Sequence, residues 1–165
     1  MKYLSTLFVL MLGLAAANEL KAQSTPTAAT TVSAFSQLLG TPRVSADSNN
    51  IFQYQFYVFT PNVDIPATDV VLTVTLPVQI GYVNGDSSCT KVNPTVEQTI
   101  VTCNLGTVMK HPIDYSRFLR FYVFPQVAGE AIVTATIQGS NTPAFTFTRK
   151  ITILPEKSRK RVRFF

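Results

Sequence analysis

Phe52-Gln53-Tyr54-Gln55-Phe56-Tyr57-Val58-Phe59 is the stretch that decides the fold. Phe52, Tyr54, Phe56 and Val58 fall on one side of an extended chain, with Gln53 and Gln55 on the other. That is the two-residue period of a half-buried strand. A helix through the same residues would scatter its large apolar side chains around the whole circumference. Working outward, the period recurs. Val70, Leu72, Val74 and Leu76 oppose Thr73 and Thr75; Leu119, Phe121 and Val123 oppose Phe118, Arg120 and Tyr122. Val101, Cys103 and Leu105 share a side, as do Ala131, Val133, Ala135 and Ile137. Shorter segments at 32–38 and 79–84, and a last one at 144–154, bring the expected strands to eight, over 32–38, 51–59, 69–76, 79–84, 99–105, 117–124, 130–138 and 144–154. Turn signals separate them at Thr60-Pro61-Asn62, Leu76-Pro77, Asn84-Gly85-Asp86, Asn93-Pro94, His111-Pro112 and Gly139 to Pro143. Parallel pairing would need crossover helices, and no stretch keeps a helical period. The pattern predicts an all-β fold, an immunoglobulin-like antiparallel β-sandwich of about seven to eight strands.

The chain has 165 residues, 46% of them hydrophobic and 14% charged, which argues against intrinsic disorder. Its net charge of +5 is unevenly placed. Between Gln23 and Pro155, seven basic residues balance seven acidic ones, while the last ten residues carry five cations against Glu156. A basic tail on a neutral body does not indicate a nucleic-acid partner. With two cysteines and one histidine, a multi-ligand zinc site is excluded and histidine-based catalysis disfavoured.

Lys2 followed by the apolar run Tyr3 to Ala17 reads as a signal peptide over residues 1–22, cleaved after Ala17 or Ala22. The run is too short to span a bilayer, which takes about 20 residues, and no later segment approaches that length. No transmembrane segment is expected, and the mature chain should be secreted or extracellular, in part attached at the cell surface. Residues 23–31 form an extended leader, 32–155 the sandwich, and 156–165 a flexible basic tail. In an exported chain the pair Cys89 and Cys103 reads as a disulfide, two separately buried thiols being the alternative. Closing that loop would stabilise the fold by about 3 kcal/mol in the chain-entropy account.

The run Pro66-Ala67-Thr68-Asp69-Val70-Val71, then Leu76-Pro77, Tyr82-Val83, Cys89 and Val101-Thr102-Cys103-Asn104-Leu105-Gly106-Thr107 resembles an immunoglobulin-like repeat family of bacterial and archaeal surface proteins, the eleventh in the series called domains of unknown function. The likeness runs over about residues 32–154, with Pro66 to Thr107 as its specific core. It implies an extracellular structural or adhesive module in which Cys89 and Cys103 match the family's bonded pair. The chain departs from the pattern at Thr60 to Ile65, where the family carries Asn-x-Gly-Pro, and at Val108 to Asp114, where it carries a brief glycine turn.

Chemistry is sparse. His111 sits in a turn before Pro112, and Asp64 and Asp69 lack the glycine-turn loop of a calcium site. No catalytic residue, metal or cofactor is assigned, and the expectation is a non-catalytic module. Its partners would be a protein or polysaccharide at the cell surface, with self-association as the alternative. In that alternative, residues 24–38 are donated to a neighbour's sheet to build a fibre; a secreted enzyme is the least favoured reading. Tyr57, Phe59, Phe118, Tyr122 and Phe124 lie opposite the core sets of their strands. They form either a binding patch or a second buried face covered by the N-terminal strand or the 108–114 loop.

Lys157, Arg159, Lys160, Arg161 and Arg163, followed by Phe164-Phe165, are the candidate surface tether. Each cation near an anionic membrane contributes about 1 kcal/mol, and the attraction fades with salt. Retention on anionic vesicles and on heparin-like polymer should therefore be salt-sensitive for the whole mature chain and weak for a chain ending at Glu156. Equal, salt-insensitive retention of the two would discard the tether.

Overall fold

A computed structural model describes residues 29–44, 50–61, 64–92, 95–110 and 117–156. They form nine strands: β1 (Ser33–Leu39), β2 (Phe52–Phe59), β3 (Ala67–Pro77), β4 (Ile80–Gly85), β5 (Cys89–Val92), β6 (Gln98–Val108), β7 (Arg117–Pro125), β8 (Gly129–Gly139) and β9 (Thr142–Ile153). A four-stranded sheet in the order β1-β2-β7-β4 packs on a five-stranded sheet in the order β5-β6-β3-β8-β9. Neighbouring strands are antiparallel throughout. The fold is the immunoglobulin-like sandwich that the alternation predicts. The signal segment, most of the leader, His111 and the basic tail lie outside the described residues.

Eight of the strands coincide with the periodic segments. β5 does not, because it has no buried side to alternate against: Thr90, Lys91 and Val92 are exposed and Cys89 is half-buried. It is a strand by virtue of its register with β6, Cys89 facing Cys103 and Val92 facing Ile100.

The core lies between the sheets, where Phe56, Leu72, Leu76, Val74, Phe121 and Ile137 are wholly buried. Phe56 is its centre, with ring centroids 4.7 Å from Tyr54, 5.1 Å from Phe121 and 6.4 Å from Phe147 of the opposite sheet. Tyr54 is buried too, and its hydroxyl shares a hydrogen bond of 2.9 Å with Ser36 Oγ, which satisfies both polar atoms. Burial pushes the Tyr54 phenol above its ordinary value, opposed by the Ser36 hydrogen bond and the Arg149 charge. Phe52, expected in the core, is half-buried at the start of β2, where its ring lies against Gly40. On the outer side of the larger sheet, register aligns Thr90, Thr102, Thr73, Thr136 and Thr146 in one row across all five strands. Threonine suits such a face, being β-branched at the backbone and polar toward water.

The two halves of the family-like motif meet at an irregularity between β3 and β6. The register slips between Ala67 and Val71, with Val70 opposite Gly106. Asp69 has φ 51° and Gly106 φ 61°, so both sit in the left-handed region. Glycine enters that region at no steric cost. Asp69 stands in it while its carboxylate accepts a hydrogen bond from Ser140 Oγ at 2.9 Å. The β8–β9 turn also holds Asn141, which accepts from Thr68 N through Oδ1, donates to Pro66 O through Nδ2, and accepts from Thr30 N at its backbone oxygen. At the other end of β1, Val44 N donates to Leu154 O and Leu154 N to Pro42 O. Both flanks of β1 are thereby tied to the sheet that β1 does not belong to.

Because Phe56 touches both sheets, Phe56→Ala should lower unfolding stability by about 3–5 kcal/mol in a denaturant titration. Thr148→Ala, on the exposed side of β9, should cost about 1 kcal/mol or less. Equal shifts in the two midpoints would overturn the assigned facing.

Candidate ligand-binding face of the four-stranded sheet

The residues that alternate with the core of β1, β2 and β7 form the outer face of the smaller sheet. Register stacks them in rows: Phe35-Tyr57-Phe118, Gln37-Gln55-Arg120 and Leu39-Gln53-Tyr122. In the first row Phe35 and Tyr57 are stacked with centroids 4.5 Å apart and 13° between their planes. Phe118 follows at 4.8 Å from Tyr57, and the Arg120 guanidinium closes the series 4.8 Å above the Phe118 ring. Since hydrogen-bonded strands are themselves about 4.8 Å apart, the Phe35 and Tyr57 rings stand upright, face to face, with their edges toward solvent.

The second row is an amide network. Gln37 Nε2 donates to Gln55 Oε1 at 2.7 Å and to the Tyr57 hydroxyl at 3.2 Å. The Tyr57 hydroxyl donates to the same Gln55 oxygen at 2.8 Å, and Gln55 Nε2 donates on to Gln53 Oε1 at 3.2 Å. This mutual bonding explains why Gln55 is buried on a face open to water. Tyr122 stands apart from the stack and is 40% exposed.

By alternation all five aromatics weighed in the sequence lie on this side of the sheet. Tyr57, Phe118 and Tyr122 stand in the rows above, Phe59 at the end of β2, and Phe124 with its ring over Gly81, where a Cβ would meet the ring Cε1 at 2.2 Å. All but Tyr122 are half-buried. β1 does not cover the face; it extends it from the edge and contributes Phe35, 38% exposed. Sequence reasoning missed Phe35 because the 32–38 segment alternates too weakly to say which of its sides faces inward.

Cys89 and Cys103 stand directly opposite each other at the β5–β6 pair, with sulfurs 2.12 Å apart and Cα atoms 3.9 Å apart. Their neighbours Ser88 and Asn104 share a backbone hydrogen bond of 3.0 Å, so the cysteines occupy the closer, non-hydrogen-bonded position of the ladder. Asp64 and Asp69 form no metal cluster, and among the described residues no group of three or more His, Cys, Asp or Glu could hold an ion. No helix among the described residues is long and apolar enough to cross a membrane. The candidate tether, Lys157 to Arg163, lies outside the described residues.

No family model matches the chain, and no curated protein matches it in sequence. Solved structures do resemble it. A protein named BspA_C_WT is 8% identical at a TM-score of 0.50, over 74% of this chain and 51% of its own. The N-terminal domain of a Streptococcus gordonii adhesin is 10% identical at 0.47, over 73% of this chain and 32% of its own. BslA, described as a bacterial hydrophobin, is 13% identical at 0.48, over 79% of this chain and 98% of its own. The chain spans about half the length of the first and a third of the second. At these identities the likeness to BspA_C_WT shows a shared fold, and the class defined here is the immunoglobulin-like β-sandwich domain.

The Phe35–Tyr57 stack predicts a coupling energy. In a double-mutant cycle of Phe35→Ala and Tyr57→Ala, the interaction should come to about 0.5–1.5 kcal/mol in unfolding free energy. Strict additivity of the two single changes would mean that the rings do not stack in solution.

Proposed function

We propose that the chain is a non-catalytic module of the extracellular surface, of the immunoglobulin-like surface-repeat kind, with a structural and adhesive role. Its binding surface is the outer face of β1, β2 and β7. The observation that carries this reading is the aromatic row Phe35-Tyr57-Phe118 beside the amide row Gln37-Gln55-Arg120. Aromatic side chains at moderate exposure combine large contact area with little rotamer entropy to lose on binding, and the amides and guanidinium add directional bonds. Gln37, Gln55 and the Tyr57 hydroxyl, already locked into a hydrogen-bonded network, lose less freedom still when a partner docks. The signal-like run Tyr3 to Ala17 and the Cys89–Cys103 pair support a role outside the cytoplasm in the same reading.

The fibre alternative would donate residues 24–38, yet β1 pairs with β2 from Ser33 to Leu39 within its own domain. Its flanks are bonded to Asn141 and Leu154. Those ties favour a domain complete in itself.

Attachment of the purified full chain to the surface of the cell that secretes it tests the reading. Tyr57→Ala should reduce attachment at least tenfold, while Thr134→Ala on the opposite sheet should leave it unchanged. Equal attachment by both variants would exclude this face as the binding surface.

A further inference from the structure

Two open hollows meet where β4 runs into β5 beside the start of β7. One, of ≈ 300 Å³, is lined by Asp86, Ser88, Asn104, Arg117 and Phe118 together with Leu105 and Leu119. The other, of ≈ 370 Å³, is lined by Gly85, Asp86, Phe118, Arg120 and Tyr122. Both volumes are near the lower end of the range for ligand sites. Asp86 and Phe118 line both hollows, and each hollow adds one arginine of its own. Arg120 comes from the outer side of β7, and Arg117, which pairs with the core residue Val58, from its inner side at the strand's exposed start.

The charged and amide side chains here are each oriented by a contact and keep further hydrogen-bonding capacity. Arg117 Nε donates to Leu105 O at 3.2 Å, which leaves its terminal nitrogens as donors. Arg120 is positioned over the Phe118 ring. Asp86 Oδ1 accepts from Ser88 N and Ser88 Oγ at 3.1 and 3.0 Å, and Oδ2 remains an acceptor. Asn104 Oδ1 accepts from Gly106 N at 3.0 Å, which turns its Nδ2 outward as a donor. The backbone of this corner is held as well: Asp86 N donates to Arg120 O, and Asn104 N to Ser88 O, one residue from the Cys89–Cys103 disulfide. No ion pair within 4 Å joins Asp86 to either arginine among the described residues, where Lys150–Glu130 is such a pair. Two guanidinium charges against one carboxylate leave this corner positive on an otherwise balanced body.

The geometry points to an acidic glycan as the ligand, a sugar chain whose units carry carboxylates. One unit sits in each hollow, its carboxylate on the guanidinium of Arg117 or Arg120, with Asp86 and Asn104 bonding ring hydroxyls. The repeated set of arginine, shared acid and shared aromatic wall matches a ligand that repeats its own groups. Arginine meets carboxylates through paired, charge-assisted bonds, and the carboxylate and amide supply the acceptor and donor that hydroxyls need. This assignment rests on the reading of the small sheet as the binding surface, since Phe118, Arg120 and Tyr122 belong to both.

The test is a calorimetric titration of the full chain with a short oligouronate, with the same oligomer after reduction of its carboxylates to alcohols, and with an oligoglutamate of equal charge. The oligouronate should bind saturably, and the reduced oligomer and the peptide at least tenfold more weakly. Arg117→Gln and Arg120→Gln should each weaken oligouronate binding about tenfold or more, whereas Lys150→Gln should not. The tail is the same in every variant, so differences among variants read the hollows alone. Unchanged thermal midpoints exclude misfolding of these exposed sites. Oligouronate affinity unaltered in both arginine variants overturns the assignment, as does equal affinity for the peptide. If that happens while Tyr57→Ala still abolishes cell attachment, the ligand class falls and the binding surface stands.

Discussion

The ring of Phe56 is the contact on which the rest of the molecule depends. It is wholly buried between the sheets and reaches Tyr54, Phe121 and Phe147. Once Phe56 points inward, the strict two-residue period sends Gln55 and Tyr57 outward. Pairing with β7 then sets Tyr57 against Phe118, and pairing with β1 sets it against Phe35. The outer aromatic row is thus the core read one residue out of phase. A slip of β2 by a single residue would bring Gln53 and Gln55 into the interior and turn Phe56 to water, which burial of unpaired amides forbids.

This dependence explains what was legible in the sequence. Facing was legible wherever one side of a strand is buried, as along Val70 to Leu76 and Ala131 to Ile137. It was not legible for β5, whose existence depends on a partner rather than on its own four residues. Asn141 reads as an ordinary turn residue, yet it bonds Thr30, Pro66 and Thr68, all distant in the chain. The hollows were hidden for the same reason: Asp86 follows β4, Asn104 lies within β6 and Arg117 opens β7, and only the sheet order brings them together. Aromatic residues facing outward were visible as a set, but Phe35 was not among them, because β1 buries too little to declare its sides.

The strand edges are treated unequally. β9 has Pro143 as its second residue, beside a register irregularity, and carries Arg149 and Lys150 along its second half, features that discourage pairing with another chain. β5 is only four residues long, and β4 carries an irregularity between Tyr82 and Asn84. β1 has no proline, glycine or charge between Ser33 and Leu39. What distinguishes it is the attachment of its flanks to the other sheet at Asn141 and Leu154. Two different solutions to one hazard therefore coexist in one domain.

Those flanking bonds also decide how the domain answers to force. Thr30 is joined to the start of β9 and Arg43 to the residue just past its end, in parallel sense. The described domain therefore enters at one pole of the sandwich and leaves, at Glu156, from the other. Tension applied through those two points runs along the strands and loads the hydrogen bonds of β1 and β9 in shear, many at once. It does not peel them open singly.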